Sequence, residues 1–242
     1  MEELDVARAP VDVILPCLDE AAAIPGVLAS LPAGWRAVLV DNGSVDGSAS
    51  IGAKLGATVV HAPNRGYGAA VDVGLSACTA EFVAVMDCDG SLDAAELLPL
   101  LDLVRLGDAD IACGARRPVS AGVWPWHARL ANSVLSAMIG LGGPRLHDLA
   151  PMRIARRQTW VALDVRDRRC GYPLETFLRA KQQGLRIVER DVSYRRRAAG
   201  TRSKISGTAR GSWIVAKDFA GVLLQSRSWD RAESTRPTSV AR

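Results

Sequence analysis

The sequence predicts an α/β domain in which a mostly parallel sheet carries helices on both faces. Two observations predict it: short apolar runs alternate with helical patterns through the first half of the chain, and the connections between them are short. At 242 residues, 48% of them hydrophobic and 23% charged, the chain is long enough for one domain with a sizeable core.

Each element of the first half has its own signal. The strands are short runs of apolar, often β-branched residues, predicted at 11–15, 37–40, 58–60, 82–86 and 110–113. The helices are longer segments with helical spacing of apolar residues, predicted at 21–31, 48–55, 67–76 and 94–106. Ligands of such sheets bind outside the carboxyl ends of the strands, so the polar residues that follow each strand are the candidates for chemistry.

The second half is less regular and is expected to form a smaller region beside the sheet. A long helix is predicted at 126–141, where Gly142-Gly143-Pro144 stops it, and a second helix at 175–183, which Gly184 ends. A strand at 186–192 and a helix at 208–225 follow. The polar tail at 226–242 is expected to be disordered.

Basic residues are concentrated in one segment, although the net charge is only +4. Between Arg186 and Arg210, eight Lys and Arg residues accompany only Glu189 and Asp191. This excess favours an anionic partner such as a phosphate, a lipid headgroup or nucleic acid, with a solvated charged face as the alternative.

The composition also argues against several classes of protein. Five scattered cysteines without a Cys-x-x-Cys pair, and three dispersed histidines, argue against a zinc site and indicate buried thiols in a reducing compartment. The N-terminus lacks the pattern of a signal peptide, and no apolar run approaches the ~18 residues of a membrane span. We expect a cytoplasmic protein, able at most to touch the inner face of the cell membrane.

Two acidic clusters follow predicted strands. Asp41-Asn42-Gly43-Ser44-Val45-Asp46 comes after the second strand, and Asp87-Cys88-Asp89-Gly90 after the fourth. Taken singly, the first is equally well a turn and the second equally well a solvated loop. Together they are more informative, because both are expected at the same edge of a parallel sheet. Two carboxylates separated by one residue can hold a hard divalent cation that bridges to a bound diphosphate.

Between these clusters lies a glycine-rich turn into a helix, Asn64-Arg65-Gly66-Tyr67-Gly68-Ala69-Ala70. Backbone N–H groups at the start of a helix, together with Arg65, suit an approaching phosphate. A Gly-x-Gly pattern by itself is weak evidence.

In this order along the chain, the motifs resemble glycosyltransferase family 2, and within it the polyprenyl-phosphate sugar synthases. The similarity extends over roughly residues 11–225. The matching segments are Leu15-Pro16-Cys17-Leu18-Asp19-Glu20, the 41–46 cluster with Asn42 where an Asp is usual, Asn64 to Gly68 with Gly74, the 87–90 cluster, Gly114-Ala115-Arg116, Asp148 with Pro151-Met152-Arg153, Glu175-Thr176, and Arg197 with Gly200, Ser203 and Lys204.

The resemblance implies a Rossmann-like GT-A domain over 1–225, with a nucleotide-sugar half at 1–115 and an acceptor half at 116–225. It implies that Asp87 and Asp89 hold Mg²⁺ or Mn²⁺ against the diphosphate of a UDP-, GDP- or dTDP-hexose. It also implies base and ribose contacts from Pro16, Glu20 and Asp41. The wider set of nucleotide-binding candidates is Pro16, Glu20, Asp41, Asn42, Ser44, Asp46, Arg65, Gly66, Asp87 and Cys88.

The expected chemistry is direct displacement at the anomeric carbon, with inversion and metal-assisted departure of the nucleoside diphosphate. A lipid phosphate acceptor is already a nucleophilic anion and needs cationic residues to hold it. The candidates are Arg116, Arg129, Arg197 and Lys204. A neutral hydroxyl acceptor needs a carboxylate base instead, for which the candidates are Asp148 and Glu175.

Three alternatives to a polyprenyl phosphate transferase stay open. The same chemistry on a soluble metabolite or glycan is one, and a non-catalytic nucleotide- or nucleic-acid-binding module is the second. A nucleic acid partner is not expected, because an RNA-binding protein has no use for the paired carboxylates at 87 and 89. A nucleotidyltransferase is the third alternative, and the missing glycine-rich loop after the first strand argues against it.

Overall fold

The structure is a computed structural model, and it describes residues 11–120, 122–123, 146–149, 151–199 and 209–233. The helix predicted at 126–141 lies outside the described residues. So do two predicted site residues, Arg129 and Lys204.

The described residues form seven strands and seven α-helices. The strands are β1 (Val11–Cys17), β2 (Arg36–Asp41), β3 (Thr58–His61), β4 (Phe82–Met86), β5 (Ile111–Pro118), β6 (Met152–Arg156) and β7 (Ile187–Tyr194). The helices are α1 (Ile24–Ala29), α2 (Ser48–Lys54), α3 (Tyr67–Ala77), α4 (Leu98–Arg105), α5 (Arg157–Ala162), α6 (Tyr172–Gln182) and α7 (Ala209–Glu233). A 3₁₀ turn at Ala94–Leu97 leads into α4.

The strands make one sheet in the order β3-β2-β1-β4-β6-β5-β7. β1, β2, β3 and β4 are parallel, as are β5 and β7, whereas β6 runs antiparallel to both of its neighbours. The predicted α/β class and mostly parallel sheet are therefore confirmed. The carboxyl ends of β1, β2 and β4 lie side by side, because these strands are adjacent and parallel.

From β5 onward, the observed elements depart from the prediction in three main places. β6 and α5 were not predicted, because the charged Arg153 interrupts the apolar signal of a strand that is nevertheless central to the sheet. β5 continues beyond the predicted end at 113 to Pro118, since β7 pairs with it as far as Tyr194. α7 continues to Glu233, so a disordered tail does not begin at 226 as predicted.

Apolar residues fill both faces of the sheet. α1 and α4 cover one face, and α3, α5, α6 and α7 cover the other. α3 lies especially close, because a Cβ at Gly74 would collide with the Ile14 and Val40 side chains of the sheet. No helix in the part of the chain that the structure describes is long and apolar enough to cross a membrane.

Candidate active site

The two acidic clusters meet at the carboxyl edge of the sheet, as predicted. Cys17, the last residue of β1, pairs with Asp41, and Asp41 pairs in turn with His61 at the end of β3. β4 lies on the other side of β1 and ends one residue before Asp87. Parallel pairing therefore brings Asp41 and the 87–89 segment to one edge of the molecule.

The loop after β2 is locked against the loop after β1. Ser44 Oγ accepts the Asp19 N–H (3.0 Å), and Asp46 Oδ2 accepts the Ala21 N–H (2.9 Å). In return, Asp19 Oδ1 accepts the Val45 N–H (2.8 Å). Asp19 has a left-handed backbone (φ 51°), which aspartate tolerates better than most residues. The side chains of Ser44 and Asp46 therefore shape this loop pair.

Asp41 is a buried carboxylate held by two partners. Its Oδ1 accepts the Ser44 N–H (3.0 Å), and its Oδ2 lies 3.2 Å from His61 Nδ1. Burial acts to raise the pKa of Asp41, but hydrogen bonds from Ser44 and His61 outweigh it and leave the pKa below its usual value. The predicted nucleotide contacts Pro16 and Glu20 lie on and just after the adjacent strand β1, with the Glu20 side chain buried.

Asn42 holds the glycine-rich turn in place. Its Nδ2 donates to the Asn64 carbonyl (2.8 Å), and its Oδ1 accepts the Gly66 N–H (2.8 Å). An ionised aspartate could not make the first of these bonds, because it has no proton to donate. Arg65 stays exposed and reaches across to the Gly43 carbonyl (3.2 Å).

The start of α3 does not offer its N–H groups to a phosphate, contrary to the sequence interpretation. The loop at 166–170 fills that position, because the Arg169 carbonyl accepts the Gly68 N–H (3.1 Å) and the Arg168 carbonyl accepts the Ala69 N–H (2.9 Å). A Cβ at Gly66 or Gly68 would collide with the backbone of this loop. These glycines are thus required by a protein contact.

The carboxylates of Asp87 and Asp89 differ in their surroundings. Asp89 is buried, and its Oδ1 accepts the Ser91 N–H (2.8 Å) while its Oδ2 lies 3.1 Å from Arg197 Nη1. Asp87 is half-buried, and burial together with the charge of Asp89 raises its pKa to about 6 against the opposing cations Arg116 and Arg197.

The segment after β7 runs directly beside this pair. The Arg195 N–H donates to the Ser91 carbonyl (2.9 Å), and the Ala198 N–H donates to the Asp89 carbonyl (3.0 Å). These bonds explain how Arg197, more than 100 residues away in sequence, comes to lie on Asp89. Cys88, between the two carboxylates, is buried in the core, so its side chain is not available to a nucleotide.

Both residues predicted as bases are engaged elsewhere. Asp148 is buried and accepts two bonds from the Arg116 guanidinium, Nε at 2.7 Å and Nη2 at 2.6 Å. Glu175, at the start of α6, accepts the Arg166 N–H (3.0 Å) and the Asp167 N–H (2.6 Å) and pairs with Arg179. Glu175 thereby shapes the same loop that covers the start of α3.

The paired carboxylates fit a divalent cation that is shared with a ligand. No group of three or more His, Cys, Asp and Glu residues that could hold a metal ion occurs among the described residues. Asp87 and Asp89 by themselves supply hard oxygen ligands and leave further positions for phosphate oxygens, which is how Mg²⁺ is commonly bound at nucleotide sites.

Comparison with known proteins assigns the family. The family model described as "Glycosyl transferase family 2" matches residues 12–163. An uncharacterised glycosyltransferase of Mycobacterium tuberculosis (strain H37Rv) is 49% identical over 214 residues, which cover 88% of this chain and 97% of the relative. The chain belongs to glycosyltransferase family 2.

Two further proteins place this glycosyltransferase among its relatives. The dolichyl-phosphate hexose transferase of Haloferax volcanii is 30% identical over 220 residues, covering 89% of this chain and 94% of the relative. The crystal structure of glucosyl-3-phosphoglycerate synthase from M. tuberculosis, in complex with Mn²⁺, UDP and glucosyl-3-phosphoglycerate, has a TM-score of 0.70 at 21% identity. It covers 91% of this chain and 80% of its own, and it confirms the fold.

The glycosyltransferase also contains site-proximal residues that the sequence reasoning did not select. His61 was not among the predicted site residues, yet it lies against Asp41, a contact that only the register of β2 and β3 reveals. Arg153 was noted only as part of the matching segment that follows Asp148, and the structure buries it completely. A charged residue within an otherwise apolar run was the available signal.

Proposed function

We propose that this glycosyltransferase transfers a hexose from a nucleoside-diphosphate sugar to a polyprenyl phosphate, with inversion and with the help of Mg²⁺ or Mn²⁺. The observation that carries the proposal is that both candidate bases are already engaged by other groups of the protein. Asp148 and Glu175 are both buried and bonded to structural partners, whereas the cation Arg197 lies beside Asp89, one of the two carboxylates proposed to hold the metal.

The donor half of the proposal depends on the carboxyl edge. The nucleotide would lie across the ends of β1 and β2, with its diphosphate at Asp87 and Asp89. A bound divalent cation would offset the negative charge that accumulates on the departing diphosphate. The protein's own contribution is to fix the two carboxylates, which it does by burying Asp89 and bonding it to the Ser91 N–H.

The acceptor half depends on charge. A hydroxyl acceptor must lose a proton to a base, and a base already bonded to an arginine or to backbone N–H groups takes a proton poorly. A phosphate monoester is an anion at neutral pH, so it attacks without a base. Its oxygen bonds to the anomeric carbon as the bond from that carbon to the diphosphate breaks, and the nucleoside diphosphate leaves.

Arg197 is the described residue best placed to hold such a phosphate. Its guanidinium lies beside Asp89, so a phosphate bound there would be next to the donor diphosphate. Arg116 contributes positive charge but is committed to Asp148 and stacks on Tyr194. The dolichyl-phosphate hexose transferase relative, similar over nearly its whole length, supports the same acceptor class.

A lipid acceptor implies contact with a membrane surface, and we propose α7 as the contributing element. Ala216, Ala220 and Leu224 form an exposed stripe on this helix, with Leu224 66% exposed, while Phe219 and Val222 pack on the core. An amphipathic helix near a cationic segment suits the headgroup region of an anionic bilayer. The proposed location is therefore peripheral, at the inner face of the cell membrane.

Direct assay of the purified protein tests the function. UDP-, GDP- and dTDP-hexoses would be offered with Mn²⁺ to a short polyprenyl phosphate in detergent, and in parallel to 3-phosphoglycerate and to a soluble glycan. Formation of a lipid-linked sugar that EDTA abolishes is the expected result. Turnover only with a soluble acceptor would overturn the polyprenyl assignment, and no thermal stabilisation by any nucleotide with Mn²⁺ would refute the donor assignment.

A further inference from the structure

Arg153 is the largest fully buried side chain among the described residues, with 0% of its surface exposed. It is the second residue of β6, opposite Val85 of β4 and Cys113 of β5. Directly opposite residues of neighbouring strands share a face of the sheet. Arg153 therefore projects to the face that α3, α5 and α6 cover.

This guanidinium has few polar partners. Its Nη2 donates to Tyr67 Oη at 3.2 Å, while Nε and Nη1 are buried without a hydrogen-bond partner. Its other neighbours are aromatic: the guanidinium carbon is 6.0 Å from the Trp160 ring centroid and 5.9 Å from that of Phe177. Within the described residues, no carboxylate forms an ion pair with Arg153.

Such an arrangement works against folding. A buried charge without an ionic partner carries a large desolvation penalty, and buried unsatisfied N–H groups add to it. Replacing buried ionic groups with apolar side chains of similar volume is often neutral or stabilising. A cation kept at this position against stability is consistent with a functional role.

The carboxyl edge is where this cation can act. Asp87 follows β4 and lies two residues after Val85, the β4 partner of Arg153, so alternation along the strand directs it to the same face. Tyr67, which accepts the Arg153 bond, is the first residue of α3 and follows the turn that Asn42 holds.

We propose that Arg153 is a buried positioning residue that supplies a fixed positive charge behind the Asp87–Asp89 pair and so favours binding of an anionic diphosphate there. This inference rests on the proposed function, because it assigns Arg153 to the diphosphate subsite. Arg153 lies too deep to touch the ligand and acts through its field. That field is strong because few solvent molecules screen it.

The test compares Arg153→Met and Arg153→Lys with the wild type and with Arg156→Met. Arg156→Met is the matched control, because it removes the same charge from the same strand, β6. Arg156 lies beside Phe82 at the start of β4, away from the carboxyl edge, and pairs with Glu81. Four quantities are measured at pH 8: the thermal midpoint, the Kd of Mn²⁺ alone, the Kd of the nucleoside diphosphate with Mn²⁺, and the Kd of the corresponding nucleoside by NMR.

Arg153→Met should keep or raise the thermal midpoint and bind the nucleoside and Mn²⁺ alone no more weakly than the wild type. It should bind the nucleoside diphosphate about tenfold more weakly, since a nearby charge commonly changes an equilibrium by at least one factor of ten. Arg153→Lys should recover most of that loss. Arg156→Met should bind all three ligands like the wild type.

Three outcomes would overturn the inference. Equal diphosphate affinity in Arg153→Met and wild type would show that the charge has no effect on the site. A fall in the midpoint accompanied by parallel losses for all three ligands, or a variant that does not fold, would indicate a purely structural role. A wild type that binds no nucleoside diphosphate would refute the proposed function itself, and this inference with it.

Discussion

Replacing Asn42 with aspartate should destabilise the turn beside the nucleotide site. Asn42 donates one bond to the Asn64 carbonyl and accepts one from the Gly66 N–H, both at 2.8 Å. In Asn42→Asp the bond from the Gly66 N–H survives and becomes charge-assisted. The bond to the Asn64 carbonyl is lost, because a carboxylate oxygen then faces the carbonyl oxygen. The bond to the Asn64 carbonyl is part-buried, and leaving its acceptor unsatisfied costs about 1–3 kcal/mol, of which the strengthened bond recovers roughly 1 kcal/mol.

The net loss should therefore be about 1–2 kcal/mol, or a fall of roughly 2–8 °C in the thermal midpoint for a domain of this size. The loss should depend on pH. The variant carboxyl can donate to the Asn64 carbonyl only when it is protonated, so its pKa should be higher in the folded than in the unfolded protein. Stability should then recover as the pH falls below the folded-state pKa, because protons bind preferentially to the folded state in that range.

Thermal and denaturant unfolding at pH 7.5 and pH 5.0 would check this. Asn42→Ala is the matched control, because it removes both bonds and leaves no titrating group, so its loss relative to the wild type should be the same at both values. An Asn42→Asp variant as stable as the wild type at pH 7.5, or one whose deficit does not shrink at pH 5.0, would refute the reasoning.

Three further predictions follow from the site. Asp89→Asn preserves the side-chain volume but removes a carboxylate, so calorimetry should show that Mn²⁺ no longer strengthens nucleotide binding. Nucleotide binding that still depends on Mn²⁺ would argue against Asp89 as a metal ligand. Asp148→Ala leaves the Arg116 guanidinium, whose side chain is only 18% exposed, without its anion. This should cost about 3–5 kcal/mol in denaturant unfolding, and a loss well below that range would show that water or other groups compensate. The pKa of Asp87 is about 6, and a protonated carboxyl is a poor metal ligand, so the affinity for Mn²⁺ should fall as the pH drops below 6. Electron paramagnetic resonance would measure that affinity, and a flat profile from pH 5 to 8 would contradict the prediction.

The regular first half was predictable because its signals are local. Apolar runs mark β1 to β4, and polar residues mark the points where those strands end, so the acidic clusters could be placed at one edge before any coordinates. β6 was missed because it violates the same rule. Its second residue is Arg153, and apolar patterning takes a charged residue inside a run as evidence against a buried strand.

The role of the glycine-rich turn before α3 could not be predicted from the sequence. Glycines at the start of a helix suit either a phosphate or another stretch of protein backbone, and the sequence does not distinguish the two. The loop that covers this helix start comes from 166–170, about 100 residues further along the chain, and Glu175 shapes it. No pattern near Gly66 could have indicated that loop.

The sequence by itself determined the fold class, the edge of the sheet that carries the chemistry and the family, because strand and helix periodicity and motif order are properties of neighbouring residues. Only the tertiary structure decided what the charged residues do. Asp148 became the partner of Arg116, Glu175 became a loop anchor, and Arg197 came to rest on Asp89. These assignments depend on which donors and acceptors are brought within hydrogen-bond distance in a buried environment, and chain folding sets that proximity across separations that local patterns do not span.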